Sequence, residues 1–381
     1  MADCLNRTVF FYCFPAGPPE RAGYQHEMIC LAEGLKALGV QFYSNLNYWR
    51  SSLDDDAYLF RHDPAVGPDD CSVVVLSDAW PIYGKPLPEH LFHSHRKYVT
   101  VYIDRAWSMD GIRTHSFASE FRRFDIVLKA HYNSRCQYPS NLRPWAFGLS
   151  NRILQETDKP PALEDRELRL LVNYRLRHPV RRIVEREFLP IIQNMLPIDD
   201  SVDGFDDPPM DSHHHLQWVQ TGRRHYPRYY ERLKNSAACA CFGGVFVPPW
   251  PRDTFAPPTF WDRNLNRLWR VWHRTLNKLV SHPERILQWD SYRFWESLAS
   301  GCVAFHVDFD KYGCLPPVVP ENWRHYVGID LDNPQEAVDR IADEPDILQR
   351  ISVEGRRWAL ENYGPVPIAE RFLQIIGRWR R

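Results

Sequence analysis

Arg293 and Glu296 stand three residues apart in the stretch Ser291-Tyr292-Arg293-Phe294-Trp295-Glu296-Ser297-Leu298-Ala299-Ser300-Gly301. Tyr292, Trp295, Leu298 and Ala299 recur at helical spacing, and Gly301 ends the pattern just before the apolar run Cys302-Val303-Ala304-Phe305. The expectation is a short helix that leads into a strand. Residues three apart share one side of a helix, and the helix N-terminus offers unpaired N–H groups that attract phosphate. A guanidinium beside those groups clamps a diphosphate, and a carboxylate one turn deeper accepts two hydroxyl protons of a ribose. The competing reading is an intrahelical Arg–Glu pair, worth a few tenths of a kcal/mol.

Further groups of the right type lie elsewhere. The stretch Val172-Asn173-Tyr174-Arg175-Leu176-Arg177-His178-Pro179-Val180-Arg181-Arg182 follows a strand-like run. Its Arg175, Arg177 and Arg181 supply fixed positive charge of the kind that stabilises a leaving diphosphate. Gly243-Gly244 lets the backbone approach a ligand or simply makes a turn. Near the N-terminus, Gly23, Gln25, His26 and Glu27 sit where a loop enters a helix. His26 is a candidate general base, with Asp104, at the end of the run Tyr98 to Ile103, as its rival. His213-His214-His215 lacks a carboxylate or cysteine at ligand spacing and reads as a polar loop, not a metal site. No metal is expected.

These residues need a scaffold of strands and helices. The run Thr8 to Phe14, a loop, the amphipathic segment Tyr24 to Leu38, Gly39 and Val40 to Tyr43 form a strand, helix, strand unit. Short apolar runs at Cys71 to Leu76, Tyr98 to Ile103 and Asp125 to Leu128 read as buried parallel strands. Apolar periodicity lapses from Gln155 to Pro161, and a second series starts at Leu168 to Asn173. Expected helices cover Val180 to Met195, Tyr226 to Asn235, Pro334 to Ala342 and Ile347 to Asn362. Residues 199–215 read as a polar stretch, and Val247 to Pro283 as an aromatic and arginine-rich insertion. The fold class is α/β, with two Rossmann-like doubly wound domains facing a cleft. Domain one is 1–158, domain two 159–362, and a C-terminal segment 363–381 carries one apolar face built for docking. Sheets of this kind bind ligands at the carboxyl ends of their strands.

Composition narrows the partners. A net charge of −1 gives no long-range attraction to nucleic acid or an acidic membrane, so the basic stretches Arg223 to Lys234 and Gly377 to Arg381 carry no nucleic-acid reading. The 14 tryptophans and 18 tyrosines suit sugar rings or bases as well as cores. Nine scattered cysteines read as free thiols in a reducing compartment, and no run near the N-terminus suits a secretory signal or a membrane span. A soluble cytoplasmic protein is the expectation.

The segment Gln288 to Val307, above all Tyr292 to Val303, resembles the nucleotide-sugar-binding segment of GT-B glycosyltransferases, and especially of exostosin-like enzymes. The resemblance covers roughly residues 235–376 and includes Val327 to Ile341 and Arg356 to Ile376. It implies that Glu296 holds the donor ribose and that Ser291, Tyr292 and Arg293 lie by the diphosphate; Arg175 and Gly243, each after a strand-like run, are further donor-side candidates from their own positions. The resemblance also implies that the last helix crosses back onto the first domain; Gly23, Gln25 and Glu27, where a loop enters a helix facing the expected cleft, are the candidate acceptor contacts. The implied activity is sugar transfer from a nucleotide-diphosphate sugar to a hydroxyl of a glycan or another acceptor, as in polysaccharide biosynthesis, with no cofactor. An epimerase or phosphorylase on the same scaffold, or a silent glycan-binding protein, is the alternative. Many retaining members carry two glutamates with seven residues between them; here the first position is Gln288, which has no charge, so the stereochemical course stays open.

Overall fold

A computed structural model describes residues 7–14, 24–52, 58–105, 122–174, 178–200, 207–246 and 284–379. In the first half, strand β1 (Val9–Tyr12) leads to helix α1 (His26–Ala37), then β2 (Phe42–Ser44) and a small antiparallel pair, β3 (Tyr48–Arg50) and β4 (Tyr58–Phe60). Strands β5 (Val73–Ser77), β6 (Val99–Asp104), β7 (Ile126–Lys129) and β8 (Leu142–Pro144) complete a six-stranded sheet, all parallel, in the order β2-β1-β5-β6-β7-β8. The period-two alternation of a strand divides its side chains between two cores. Val9, Phe11, Val73, Val75, Val101 and Ile103 enter one core, while Phe10, Val74, Leu76, Tyr102 and Val127 enter the other.

The chain crosses to the second sheet between Pro144 and Glu167, by way of helix α2 (Asn151–Glu156). There β9 (Glu167–Leu171) is followed by α3 (Pro179–Ile183), which runs through a π-turn over Val184–Phe188, and by β10 (Ile198–Asp199). Next come α4 (Ser212–Gln220), α5 (Pro227–Asn235), β11 (Ser236–Ala240), and the antiparallel pair β12 (Val245–Phe246) and β13 (Ile286–Leu287). Helix α6 (Tyr292–Ala299), β14 (Val303–Val307), β15 (Val327–Ile329), α7 (Gln335–Asp343) and α8 (Ile347–Tyr363) close the domain. Its sheet is again parallel, in the order β10-β9-β11-β14-β15.

Helix α9 (Pro365–Arg378) returns to the first domain. Ile368, Ala369, Phe372, Leu373 and Ile376 join the core made by Val9, Phe11 and α1. The docking is close: a Cβ on Gly34 would overlap the Pro365 carbonyl, so only glycine fits where the two helices touch. Two parallel doubly wound sheets with a terminal helix crossing back agree with the two Rossmann-like domains expected from the sequence.

One sequence expectation changes. His213, His214 and His215 lie in α4, not in a loop, because the Asp211 carboxylate accepts the His214 backbone N–H at 2.9 Å and caps the helix. The insertion 247–283 lies outside the described residues. The eight described cysteines are free, and no described helix is long and apolar enough to cross a membrane.

Candidate functional site

The expected helix forms as α6, and Glu296, Trp295 and Phe294 are all buried. Arg293 and Glu296 do not pair with each other: among the described residues Arg293 has no carboxylate partner, and its guanidinium lies 6.0 Å from the Tyr174 ring. Arg181 lies over the same ring at 4.7 Å, and its Nε donates to the Phe242 carbonyl at 2.7 Å. Burial, with Arg293 nearby, pushes Arg181 down to about 10. Two guanidinium groups thus share one tyrosine ring and repel each other. Gly243 stands at the foot of this cluster, where a Cβ would lie 3.3 Å from the Gln288 carbonyl and 3.9 Å from Arg181 Nη2.

Glu296 is held by two hydroxyls. Tyr230 donates to Oε1 at 2.9 Å and Tyr229 to Oε2 at 3.1 Å. A carboxylate has about four lone-pair sites, so two remain for further donors.

Several buried polar side-chain atoms have no hydrogen-bond partner among the described residues: both amide atoms of Gln288, Ser291 Oγ and the Tyr174 hydroxyl, and, on the first-domain side, His131 Nε2 and Glu27 Oε1. Such atoms are rare in native proteins, and each one left unpaired costs about 1–3 kcal/mol. Gln288 and His131 also carry left-handed backbone, with φ of 59° and 58°. Neither is glycine, so each stores strain of the kind that collects at functional sites. The two come from opposite domains, His131 after β7 and Gln288 after β13. Asp290, two residues past Gln288, joins the two segments, since its backbone N–H donates to His131 Nδ1 at 3.1 Å. That bond leaves the ring proton on Nε2. Burial, then Lys129, pushes His131 down to about 3, with the Arg105 carbonyl pulling the other way. The Asp290 carboxylate accepts from Trp295 Nε1 at 2.6 Å and from the Phe147 N–H at 3.0 Å, and burial raises it to about 7.

On the first-domain side, Tyr292 turns away from the guanidinium pair. Its ring stacks on Phe147 with centroids 4.6 Å apart, meets His26 edge-on at 4.8 Å, and its hydroxyl accepts from Arg105 Nη1 at 3.1 Å. Its ring and hydroxyl are thus engaged with residues of the first domain. Gln25 is likewise committed to the scaffold. Its Oε1 accepts from the Phe14 N–H at 2.9 Å and from Ser77 Oγ at 3.1 Å, so it ties the ends of β1 and β5 and is not free for an acceptor.

His26 does not suit a general base. It is fully buried, and its ring sits between the Tyr24 hydroxyl at 2.8 Å and the Gly148 carbonyl at 3.1 Å. Burial pushes it down to about 3. Asp104 is also fully buried and accepts from Lys129 Nζ at 2.6 Å, which engages it with its own domain. Glu27 faces Arg105 at 3.8 Å, and burial raises its pKa against that guanidinium. Arg105 in turn donates to Asp78 at 3.0 Å. Gly23 and Arg175 lie outside the described residues.

Sequence reading missed His131, Asp290, Arg105 and Arg152. Arg152, on the crossing helix α2, donates to the hydroxyls of Tyr230 and Tyr24 at 2.9 and 3.1 Å and to His225 Nδ1 at 2.8 Å. The last bond decides a second question. Glu156, His214 and His225 are spaced as metal ligands, with both His Nε2 atoms 3.2 Å from Glu156 Oε1. A guanidinium only donates, so His225 Nδ1 holds a lone pair and its proton sits on Nε2, where a metal would have to bind. Metal-bound histidines normally direct the other nitrogen at an acceptor, not at a cation. The cluster fits a hydrogen-bonded clasp better than a metal centre. Nearby, Gln220 of α4 bonds both backbone groups of Arg50 in β3, at 2.7 and 2.8 Å, and joins the domains there too.

No family model and no curated protein matches the chain. Among solved structures it is similar to AviGT4, a glycosyltransferase involved in avilamycin A biosynthesis, at 15% identity and a TM-score of 0.48 over 98% of both chains. It is also similar to sucrose-phosphate synthase from Thermosynechococcus elongatus, at 11% identity and a TM-score of 0.46 over 98% of this chain and 99% of that one. A third is Anabaena HepE in complex with UDP and glucose, at 10% identity and a TM-score of 0.45 over 98% and 100%.

Proposed function

We propose that this protein is a glycosyltransferase that moves a sugar from a nucleoside-diphosphate donor to a hydroxyl acceptor. The observation that carries this reading is Arg293, which has no carboxylate partner among the described residues, beside Arg181 and one turn from a buried carboxylate that keeps lone pairs in reserve. Two guanidinium groups this close raise each other's cost, and an anionic ligand placed between them offsets it. A diphosphate supplies it, and Glu296 then meets the ribose hydroxyls. In the transfer, the same guanidiniums stabilise the charge that builds on the leaving diphosphate. Ser291 Oγ and the Gln288 amide, both partnerless, line the approach to that group.

On the acceptor side, an inverting course needs a base, and Glu27 replaces His26 in that role. Its Oε1 lacks a partner, and its pKa is raised toward the range in which a carboxylate takes up a proton.

The test is calorimetric titration with UDP and with GDP, followed by transfer assays with UDP- and GDP-sugars. Binding of at least one nucleotide, weakened tenfold or more in Glu296→Ala, is expected. Wild-type protein that ignores both nucleotides would sink the reading.

A further inference from the structure

Arg152 is 7% exposed, yet it has no carboxylate within ion-pair distance among the described residues. Its guanidinium bonds only neutral acceptors: the hydroxyls of Tyr230 and Tyr24, and His225 Nδ1. Because it can only donate, every proton beyond it has a fixed direction. The Tyr230 hydroxyl accepts from Arg152 and must give its own proton to Glu296 Oε1, 2.9 Å away. The Tyr24 hydroxyl accepts from Arg152 and gives its proton to His26 Nδ1 at 2.8 Å, so the His26 ring proton lies on Nε2 and points to the Gly148 carbonyl. One polarised chain therefore runs from Glu296 on α6, through Tyr230 on α5 and Arg152 on α2, to Tyr24 and His26 at the start of α1. Buried chains of this kind strengthen cooperatively, so a change at one end is felt at the other.

We propose that Arg152 is a positioning residue that ties the donor carboxylate Glu296 to the first domain, so that nucleotide binding and the seating of α1 against the second domain form one coupled event. The proposal rests on the assignment of Glu296 to the ribose. Arg152 touches neither ligand; it acts through Tyr230. When ribose hydroxyls donate to Glu296, the carboxylate draws less on Tyr230, and Arg152 shifts its donation toward Tyr24.

The experiment is a double-mutant cycle in nucleotide affinity with Tyr24→Phe and Glu296→Gln, read by calorimetry with UDP and with GDP. Phenylalanine keeps the ring and removes one hydroxyl in the domain that does not carry Glu296. The expected result is a three- to tenfold loss of affinity in Tyr24→Phe and no further loss when the same change is made in the Glu296→Gln background. Arg152→Lys, which keeps the charge but not the fork geometry, should fall between wild type and Tyr24→Phe plus Tyr230→Phe. Independent, multiplicative losses, or wild-type affinity in Tyr24→Phe, would overturn the coupling. Wild-type affinity in Glu296→Gln, or no binding of either nucleotide to the native chain, would overturn the ribose assignment and the coupling with it, and is recognisable because Tyr24 is not involved.

Discussion

Arg105 Nη1 lies 3.1 Å from the hydroxyl of Tyr292, so a residue one step past a first-domain strand donates to the first residue of a second-domain helix. The same guanidinium is braced by Asp78 at 3.0 Å and faces Glu27 at 3.8 Å. Tyr292 adds its stack on Phe147. This one side chain is therefore a main point of attachment between the domains.

Replacing it tests that role. Tyr292→Phe keeps the stack and loses one hydrogen bond to a charged group, for a cost of about 2 kcal/mol in urea unfolding. Tyr292→Ala loses the ring as well and should cost about 3–5 kcal/mol, with a larger radius of gyration in small-angle scattering. An alanine variant as stable and compact as the phenylalanine variant would show that Tyr292 does not join the domains.

Arg293→Met separates binding from folding. The native guanidinium is half-buried beside Arg181 and has no carboxylate partner among the described residues, so methionine of similar length should leave the thermal midpoint unchanged or raise it. Affinity for the better of UDP and GDP should fall at least tenfold, since a charge-assisted bond is worth about 1.5–3 kcal/mol. A variant that unfolds easily but binds normally would make Arg293 a structural residue.

The buried imidazole of His26 predicts a pH effect with a definite sign. Its pKa falls from 6.5 to about 3 on folding, chiefly through burial. Between those values the unfolded chain binds more protons than the folded one, so this contribution is full above pH 6.5 and is lost as the pH falls. Each unit below 6.5 costs up to about 1.4 kcal/mol for this one group. His26→Gln should flatten the stability-versus-pH slope between pH 6.5 and 5 by that amount. Parallel slopes for the two proteins would show that His26 is protonated in the folded chain.

The clasp of Glu156, His214 and His225 predicts indifference to metal. Overnight dialysis against EDTA should leave the melting temperature unchanged, and stoichiometric zinc should not raise it. A rise that disappears in His225→Ala would mean that Arg152 releases the ring and that the cluster is a metal site after all.

Much of the scaffold was legible because each element repeats a local rule. The parallel strands read as short apolar runs, and α6 showed both its 3.6-residue period and its Gly301 stop, at a φ of 67°. The histidine run was misread, although Asp211 stands in the sequence as an N-cap and its carboxylate makes the bond that starts α4. The site was legible only in part. Glu296 and Arg293 stand out by spacing, but Arg152 and Arg105 look in sequence like any solvated arginine. Their burial depends on tyrosines and carboxylates from distant segments, which no local pattern reveals. His26 failed for the opposite reason: the residue type suits a base, and only the enclosing ring of Tyr24, Tyr292 and Gly148 makes it inert.

The return of α9 to the first domain has a consequence for biosynthesis. Arg7 and Ile376, whose groups lie 3.3 Å apart, are separated by 369 residues. At about 5–20 residues per second the ribosome needs roughly 20–75 seconds to span that interval. Throughout that time the apolar flank of α1 around Gly34 has no native cover. The core of the first domain is thus completed only once the last helix has been made, although its earliest strand is translated first.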